Sequence, residues 1–385
     1  MERITIPILM NGVTGRMGSI QHLERSIAAI RAEGGVRVGD GRTIWPEPIL
    51  AGRNEAKLKD LAARFGAERW TTDLDSALHD PEIQVYFDAQ TTQRRASAVR
   101  AALEAGKHVY AEKPLAEDTE AALDLARLAR EKKLCNGVVQ DKLFLPGLIK
   151  LKRLIDSGFF GRILSVKGDF GYWVFEGDWH PAQRPSWNYR KEDGGGIVVD
   201  MMPHWQYVLE NLFGGIKSVY CHAATHIPER VDEAGNRYQC TADDAAYAVF
   251  ELTDGIVAQI NASWTTRVHR DELVIFQVDG THGSAVAGLW GCDSQHRTNT
   301  PKPVWNPDAP DSHDYRADWA VVPDNRPFDN AFKAQWQLFL RHVALGEPFA
   351  WDFLAAAKGI QLAELSLQST ADRRAMDVAP LTPDA

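Results

Sequence analysis

"MNGVTGRMG", Met10–Gly18, closes one apolar run and opens a helical one, and that position decides the fold. Before it, "RITIPILMNG" (3–12) reads as a buried strand ending in a turn. After it, Met17, Ile20, Leu23, Ile27 and Ile30 recur at helical spacing until Gly34 and Gly35 stop the helix. Gly12, Gly15 and Gly18 permit a tight turn and close approach of the backbone to a pyrophosphate. The helix N-terminus behind them offers unpaired N–H groups and the positive end of a dipole. The spacing is G-x-x-G-x-x-G, one residue longer than the usual dinucleotide fingerprint. A glycine triplet alone is a weak signal, and its place between strand and helix supplies the missing context. Thr14, Arg16 and Met17, in the same turn, join the expected cofactor contacts.

Outward from this turn, "VRVGDGRTIW" alternates around Gly-Asp-Gly and reads as a small hairpin insertion. "EPILAGRN" is a second strand and "EAKLKDLAARFG" a helix closed by Gly66. "IQVYFDAQ", "HVYAEKP" and "CNGVVQDK" are further strands, separated by the helices "RRASAVRAALEAGK" and "EDTEAALDLARLAREKKL". Regular alternation of strand and helix predicts a Rossmann-type, doubly wound parallel sheet over residues 1–142. From residue 143 the texture changes. One helix, "PGLIKLKRLIDSG", precedes five strand-like runs from "RILSVKGDFGYWVF" to "ELVIFQVDGTHGSAVAGL". This predicts an α+β second domain, 143–385, on a large and mainly antiparallel sheet. "WNPDAPDSHDYRADWAVVPDN" reads as a long loop, and two helices close the chain.

A length of 385 residues suits two domains, and 44% hydrophobic with 25% charged residues is ordinary for a soluble protein. The net charge of −9 argues against a nucleic acid or an anionic membrane as partner. No apolar run reaches the roughly 18 residues that span a bilayer. The N-terminus lacks the basic flank and small-residue cleavage site of a signal peptide. The four cysteines are scattered, as expected of reduced thiols in a cytoplasmic enzyme.

The second strand ends in "LAGRN", where the reader of the ribose 2′-hydroxyl usually stands. Gly52 occupies the place of the expected acid, flanked by Arg53 and Asn54. A guanidinium pairs with a 2′-phosphate that an acid would repel, so NADP is favoured and NAD stays open. Arg53 as a solvated surface residue is the competing account.

Glu112-Lys113-Pro114 falls where a strand ends at the C-terminal edge of the sheet, the side on which such folds bind ligands. Further on, "GGGIVVDMMPHWQYVL" (194–209) sets Asp200 and His204 four residues apart in an apolar segment. On a helix that spacing shares one face, with about 5–6 Å between Cβ atoms. Pro203 suits only a first turn, which predicts a helix start near Asp200, with Asp200 as an N-cap the plainer alternative. The three glycines would let backbone approach cofactor or substrate.

"ALEAGKHVYAEKPLA", "GGGIVVDMMPH" and "VDGTHGSA", in this order over nearly the whole chain, resemble the Gfo/Idh/MocA family of oxidoreductases. The resemblance implies an NAD(P)-dependent enzyme with a Rossmann domain. It also implies a C-terminal domain whose open sheet face forms a homodimer or homotetramer. By the same resemblance Lys113, Asp200 and His204 form the working site. His204 would take a hydroxyl proton as hydride leaves the same carbon, Asp200 would orient the imidazole and stabilise its cation, and Lys113 would hydrogen-bond the reacting oxygen. Two departures stand out. "DAQTTQRRA" replaces the family's Pro and later His, leaving Gln90 and Thr91 as positional candidates. Gln140-Asp141-Lys142 stands where an arginine is common, with Gln140 expected at the cofactor and Lys142 at the substrate.

"GYWVFEGDWHPAQRPSWNYRKEDGGG" leads into the catalytic segment. Trp173, Trp179, Trp187 and Tyr189 offer flat faces among Arg184, Arg190 and Lys191, a mixture suited to a polyhydroxylated ring or one bearing an acidic substituent. Core packing and a solvated basic loop are the plainer account of each. Asp178, His180 and His204 match no metal spacing, and no metal is expected. The leading expectation is a sugar or cyclitol dehydrogenase. An NAD-dependent glycosidase acting by transient oxidation and a non-catalytic nucleotide sensor are the alternatives.

Overall fold

The computed structural model describes residues 2–39, 41–270, 272–299, 307–308 and 313–382. Two compact units emerge among the described residues: those within 2–144, 329–364 and 380–382 form the first, and those within 145–328 with 365–379 the second. The expected single division at 142/143 therefore differs, because a late segment returns to the first unit.

In the first unit β1 (Arg3–Asn11) leads through the glycine turn into α1 (Met17–Ala28, π-type, continued as an α turn over Ala29–Ala32). β2 (Val36–Arg37) pairs antiparallel with β3 (Thr43–Ala51). Asp40, at the centre of the expected Gly-Asp-Gly turn, lies outside the described residues. The second arm of that hairpin and the expected second strand are one continuous strand, since Pro46 and Pro48 interrupt the residue pattern without ending the pairing with β1. Then follow α2 (Glu55–Phe65), β4 (Arg69–Thr71), α3 (Leu74–Leu78), β5 (Val85–Asp88), α4 (Thr92–Glu104), β6 (His108–Ala111), α5 (Thr119–Glu131) and β7 (Asn136–Val138). The sheet order is β2-β3-β1-β5-β6-β7, with β4 on β3, and every pairing except β2–β3 is parallel. The order reverses at β1, the switch point where such sheets bind ligands.

Alternate residues of each strand face opposite layers, so each face gathers its own core. Ile8, Met10, Leu50, Val85 and Phe87 pack with α1, α2 and a returning helix, Ala331–Leu345, through Trp336, Phe339 and Leu340. Leu9, Ile49, Tyr86 and Val109 pack with α4, α5 and the start of the last helix, Phe353–Asp372.

The second unit carries α6 (Pro146–Asp156), β8 (Ile163–Phe170), α7 (Ile197–Leu212) and β9 (Ile216–Ala224). A small hairpin of β10 (Glu229–Val231) and β11 (Arg237–Gln239) precedes β12 (Ala245–Leu252), β13 (Val257–Ser263), β14 (Val274–Gly280), β15 (Gly283–Ala287), β16 (Cys292–His296), β17 (Ala320–Val321) and β18 (Met376–Asp377). Nine strands run in the order β17-β16-β15-β14-β8-β13-β12-β9-β18, and only β8–β13 is parallel. α7 covers one face at β9, β12 and β13. Strict burial alternation along β12 leaves Tyr247 and Val249 on the other face, which is open in this chain. Of the expected long loop, residues 305–306 and 309–312 lie outside the described residues. Its later part contains a short 3₁₀ turn, Tyr315–Asp318, and β17.

Candidate active site

In the first unit the three turn glycines have separate reasons. Gly12 holds φ +84°, and a Cβ there would lie 2.5 Å from the Ala89 carbonyl carbon. A Cβ on Gly18 would meet the Gly12 oxygen at 2.5 Å, so this residue lets the helix close on the turn. Gly15 is exposed, its Cβ position only brushing the Gly12 oxygen at 3.4 Å. The helix that follows has Arg16 as N-cap with no side-chain cap bond. Its first N–H groups are thus not claimed by a capping side chain, and a pyrophosphate at an exposed glycine fits this cradle. Thr14 and Met17 are half-buried beside it, and Thr14 Cγ2 stands 3.3 Å from the Cβ position of Gly52. Arg53 is exposed and makes no ion pair among the described residues. Asn54 departs from the expected cofactor role: its side chain accepts the Lys57 N–H at 3.0 Å and caps α2.

At the end of β5, Asp88 is a hub that the sequence reading missed. It accepts from the Tyr86 hydroxyl (2.6 Å), the Gln90 N–H (3.0 Å), Gln90 Nε2 (2.8 Å) and Arg95 Nε (3.2 Å). Burial and the Asp88 charge push the Tyr86 hydroxyl well above its usual range, so it remains a donor. Arg95 also donates to the carbonyls of Gln90 and Pro114. One buried guanidinium therefore ties the β5 exit to the turn carrying Lys113. Thr91 is exposed at the N-cap position of α4.

Lys113 leaves β6 half-buried, followed by a cis peptide to Pro114. Glu112 turns the other way, correcting its expected place among the cofactor contacts. Its carboxylate is buried, meets His22 Nε2 at 2.8 Å and accepts the Lys113 N–H at 3.1 Å. His22 Nδ1 accepts from Trp336 Nε1 at 3.0 Å, which leaves the imidazole proton on Nε2 for Glu112. Burial alone would raise the Glu112 carboxyl, but the hydrogen bond from His22 and the charges of Arg95 and Lys113 hold it below its ordinary value. Gln140 is also buried, its backbone N–H donating to Gln335 Oε1 at 2.8 Å, while its own Oε1 has no hydrogen-bond partner among the described residues. Lys142 is half-buried, 3.5 Å from Asp141.

In the second unit α7 starts at Ile197, three residues before the expected Asp200. Asp243 explains the earlier start: its carbonyl accepts Ile197 N–H at 2.9 Å and its carboxylate Val198 N–H at 2.8 Å. Asp200 is consequently inside the helix and not its N-cap, and Pro203 lies in the interior, where it removes a donor to the Val199 carbonyl. Of the glycines before α7, Gly195 and Gly196 pack against their own chain, while Gly194 has open space at its Cβ position. A Cβ on Gly195 would sit 2.4 Å from the Asn188 oxygen, and one on Gly196 2.9 Å from Asp243 Oδ1.

Asp200 Oδ2 lies 3.0 Å from the Arg184 guanidinium, which stacks over Trp264 at 4.8 Å and Phe175 at 5.2 Å. His204 is 5% exposed, and its Nδ1 lies 2.6 Å from the Tyr207 hydroxyl. Tyr207, one turn further on, thus meets the ring at Nδ1, a partner beside the Asp200 expected from the sequence. Tyr189 is core rather than substrate wall. It is buried, donates to the Phe175 carbonyl at 2.8 Å, and lies under Arg230 at 4.3 Å. Arg230 pairs with Asp244 at 3.0 Å, both fully buried, and braces this segment from within. Arg190 lies 3.8 Å from Asp193 and over Tyr238. Trp173 stacks on His269 at 4.6 Å and belongs to a 3₁₀ turn beyond β8, not to the strand. Trp179 and Trp187 are 70% and 47% exposed. No cluster of three metal-ligating side chains occurs among the described residues.

Asp88, Arg95, His22, Asp243 and Tyr207 escaped sequence reading because each acts through a partner distant in the chain or through an unmarked helical spacing. Asp88 alone carried a usable signal, an acid ending a strand at the sheet's reversal point.

Residues 49–139 match the oxidoreductase family with an NAD-binding Rossmann fold, and 148–286 the GFO/IDH/MocA C-terminal domain. The chain is 56% identical over 381 residues to D-xylose dehydrogenase of Paenarthrobacter nicotinovorans, covering 98% of both chains. It is 29% identical over 265 residues to levoglucosan dehydrogenase of Pseudarthrobacter phenanthrenivorans, covering 63% of this chain and 66% of that one. The solved structure of a levoglucosan dehydrogenase with NADH and L-sorbose shares the fold, with a TM-score of 0.80 at 23% identity over 97% of this chain and 99% of that one. The chain belongs to the Gfo/Idh/MocA family. It is an NAD-binding oxidoreductase, the class that the resemblance implied.

Proposed function

We propose that this oxidoreductase oxidises a secondary hydroxyl of an uncharged sugar, with D-xylose the first substrate to test. The observation that carries the proposal is the end-to-end similarity to a D-xylose dehydrogenase. Local electrostatics support an uncharged substrate over an acidic one. Arg184 is engaged by Asp200, Arg190 by Asp193, and Arg267 by Glu176 and Asp178 at 2.6 Å each. Each of these guanidiniums thus already has a carboxylate of its own chain beside it.

Oxidation removes a hydride, accepted by the nicotinamide when it is bound, and a proton. His204 takes the proton, Asp200 stabilises the resulting imidazolium, and Lys113 hydrogen-bonds the oxygen as it becomes a carbonyl. Trp187 and Trp179 supply faces for the sugar ring. The exposed Arg53 makes NADP acceptable beside NAD, and the open sheet face with Tyr220, Tyr247, Val249 and Val257 serves self-association. Four free thiols suit a cytoplasmic enzyme. The relatives described above are dehydrogenases, and no feature of the structure favours the glycosidase or sensor alternatives.

A panel of neutral sugars, sugar acids and glycosides, each with NAD and NADP, tests this reading. Cofactor reduction should be fastest with D-xylose or a neighbouring neutral sugar. Reduction only with acidic sugars, or glycoside cleavage without net reduction, would reject it.

A further inference from the structure

We infer, on the reading of His204 as the proton acceptor, that Tyr207 is a positioning residue: its hydroxyl oxygen receives the Nδ1–H of His204 and leaves Nε2 as the ring atom that takes the substrate's proton. The two side chains lie one turn apart on α7, with Nδ1 and the hydroxyl 2.6 Å apart and the rings edge-on at 82°. Both are buried, at 5% and 2% exposure, so bulk water does not stand in for either partner.

A neutral imidazole carries one proton. The nitrogen that lacks it is the one able to act as a base, and the hydrogen bond at the other nitrogen selects the tautomer. With Nδ1–H donated to the phenol oxygen, Nε2 presents its lone pair. When the proton arrives, the same N–H becomes cationic and its bond to the phenol strengthens. An uncharged phenol therefore orients the ring, while the negative charge that steadies the cation is left to Asp200, one turn earlier.

Tyr207→Phe keeps the ring and removes the hydroxyl alone. It should lower kcat by about 10- to 100-fold, the scale of one hydrogen bond to a charged group. Sugar KM and cofactor Kd should hold, and the acid limb of the kcat pH profile should shift. In a His204→Asn background the same change should have no further effect. Unchanged kcat and pH profile in Tyr207→Phe, with His204→Asn inactive, would overturn the role of Tyr207 alone. Full turnover in His204→Asn would instead remove the reading of His204 on which it stands. The unsubstituted enzyme offers a test free of folding effects: with ¹⁵N-labelled histidines, the His204 resonance, assigned by its loss in His204→Asn, should report the Nδ1-protonated tautomer above its pKa. An Nε2-protonated ring would equally overturn the inference.

Discussion

Two glycine-rich turns, each followed by a helix, look alike on paper and behave as opposites. At Gly12–Gly18 the helix begins without a side-chain cap, and Gly15 is exposed. At Gly194–Gly196 the helix begins against Asp243, which takes its first two N–H groups. The first turn leaves its N–H groups unclaimed by a side chain, as the proposed pyrophosphate contact requires. The second already holds an anion, in the form of its own chain's carboxylate. Glycine next to a helix start thus marks close approach, and what approaches is settled by whether a side chain elsewhere claims the N–H groups.

That contrast can be broken most sharply through the helix that the second turn launches. His204→Ala should lower turnover by about 10²–10⁴-fold while the cofactor still binds. Unaltered turnover would mean that the buried imidazole is only packing. Next come the glycines. Gly12→Ala forces a Cβ to 2.5 Å from backbone at a positive φ and should destabilise the fold by about 1–3 kcal/mol. Gly15→Ala should leave the melting temperature in place and weaken dinucleotide binding in titration calorimetry. Equal effects from the two changes would erase the distinction drawn between them.

Arg53→Ala should reduce NADP affinity by roughly 1.5–3 kcal/mol with NAD untouched, which parallel cofactor titrations would read. Equal losses for both would show that Arg53 does not meet the 2′-phosphate. Asp243→Ala should lose about 0.5–2 kcal/mol in denaturant unfolding, with Asp243→Asn largely sparing it, because the amide oxygen still caps the helix.

The smallest effects are in pH dependence, where two buried carboxyls have opposite signs. Glu112 is held below its ordinary 4.5, so its contribution to stability is present above that pH and is lost as pH falls through the lower folded value. Asp243 is raised, chiefly by burial, above its ordinary 3.8. Its contribution is present below that pH and is lost as pH rises through the higher folded value. Melting temperature against pH should therefore flatten on the acid side of 4.5 in Glu112→Gln and on the alkaline side of 3.8 in Asp243→Asn.

Local chemistry was enough for the alternation of strands and helices, the strand–turn–helix at Met10–Gly18, and the sheet edge that carries Lys113. Each depends on neighbours within a few residues, through burial period, turn geometry and the exposed N–H groups of a helix start. The spacing of Asp200 and His204 was legible for the same reason. Which partner each side chain takes was not. Arg184 reaches Asp200 from sixteen positions earlier, Asp243 caps a helix that starts forty-six positions before it, and Trp336 fixes the tautomer of His22 across most of the chain. Such bonds arise because burial leaves each polar group obliged to find a partner, and only the packed chain decides which one is within reach.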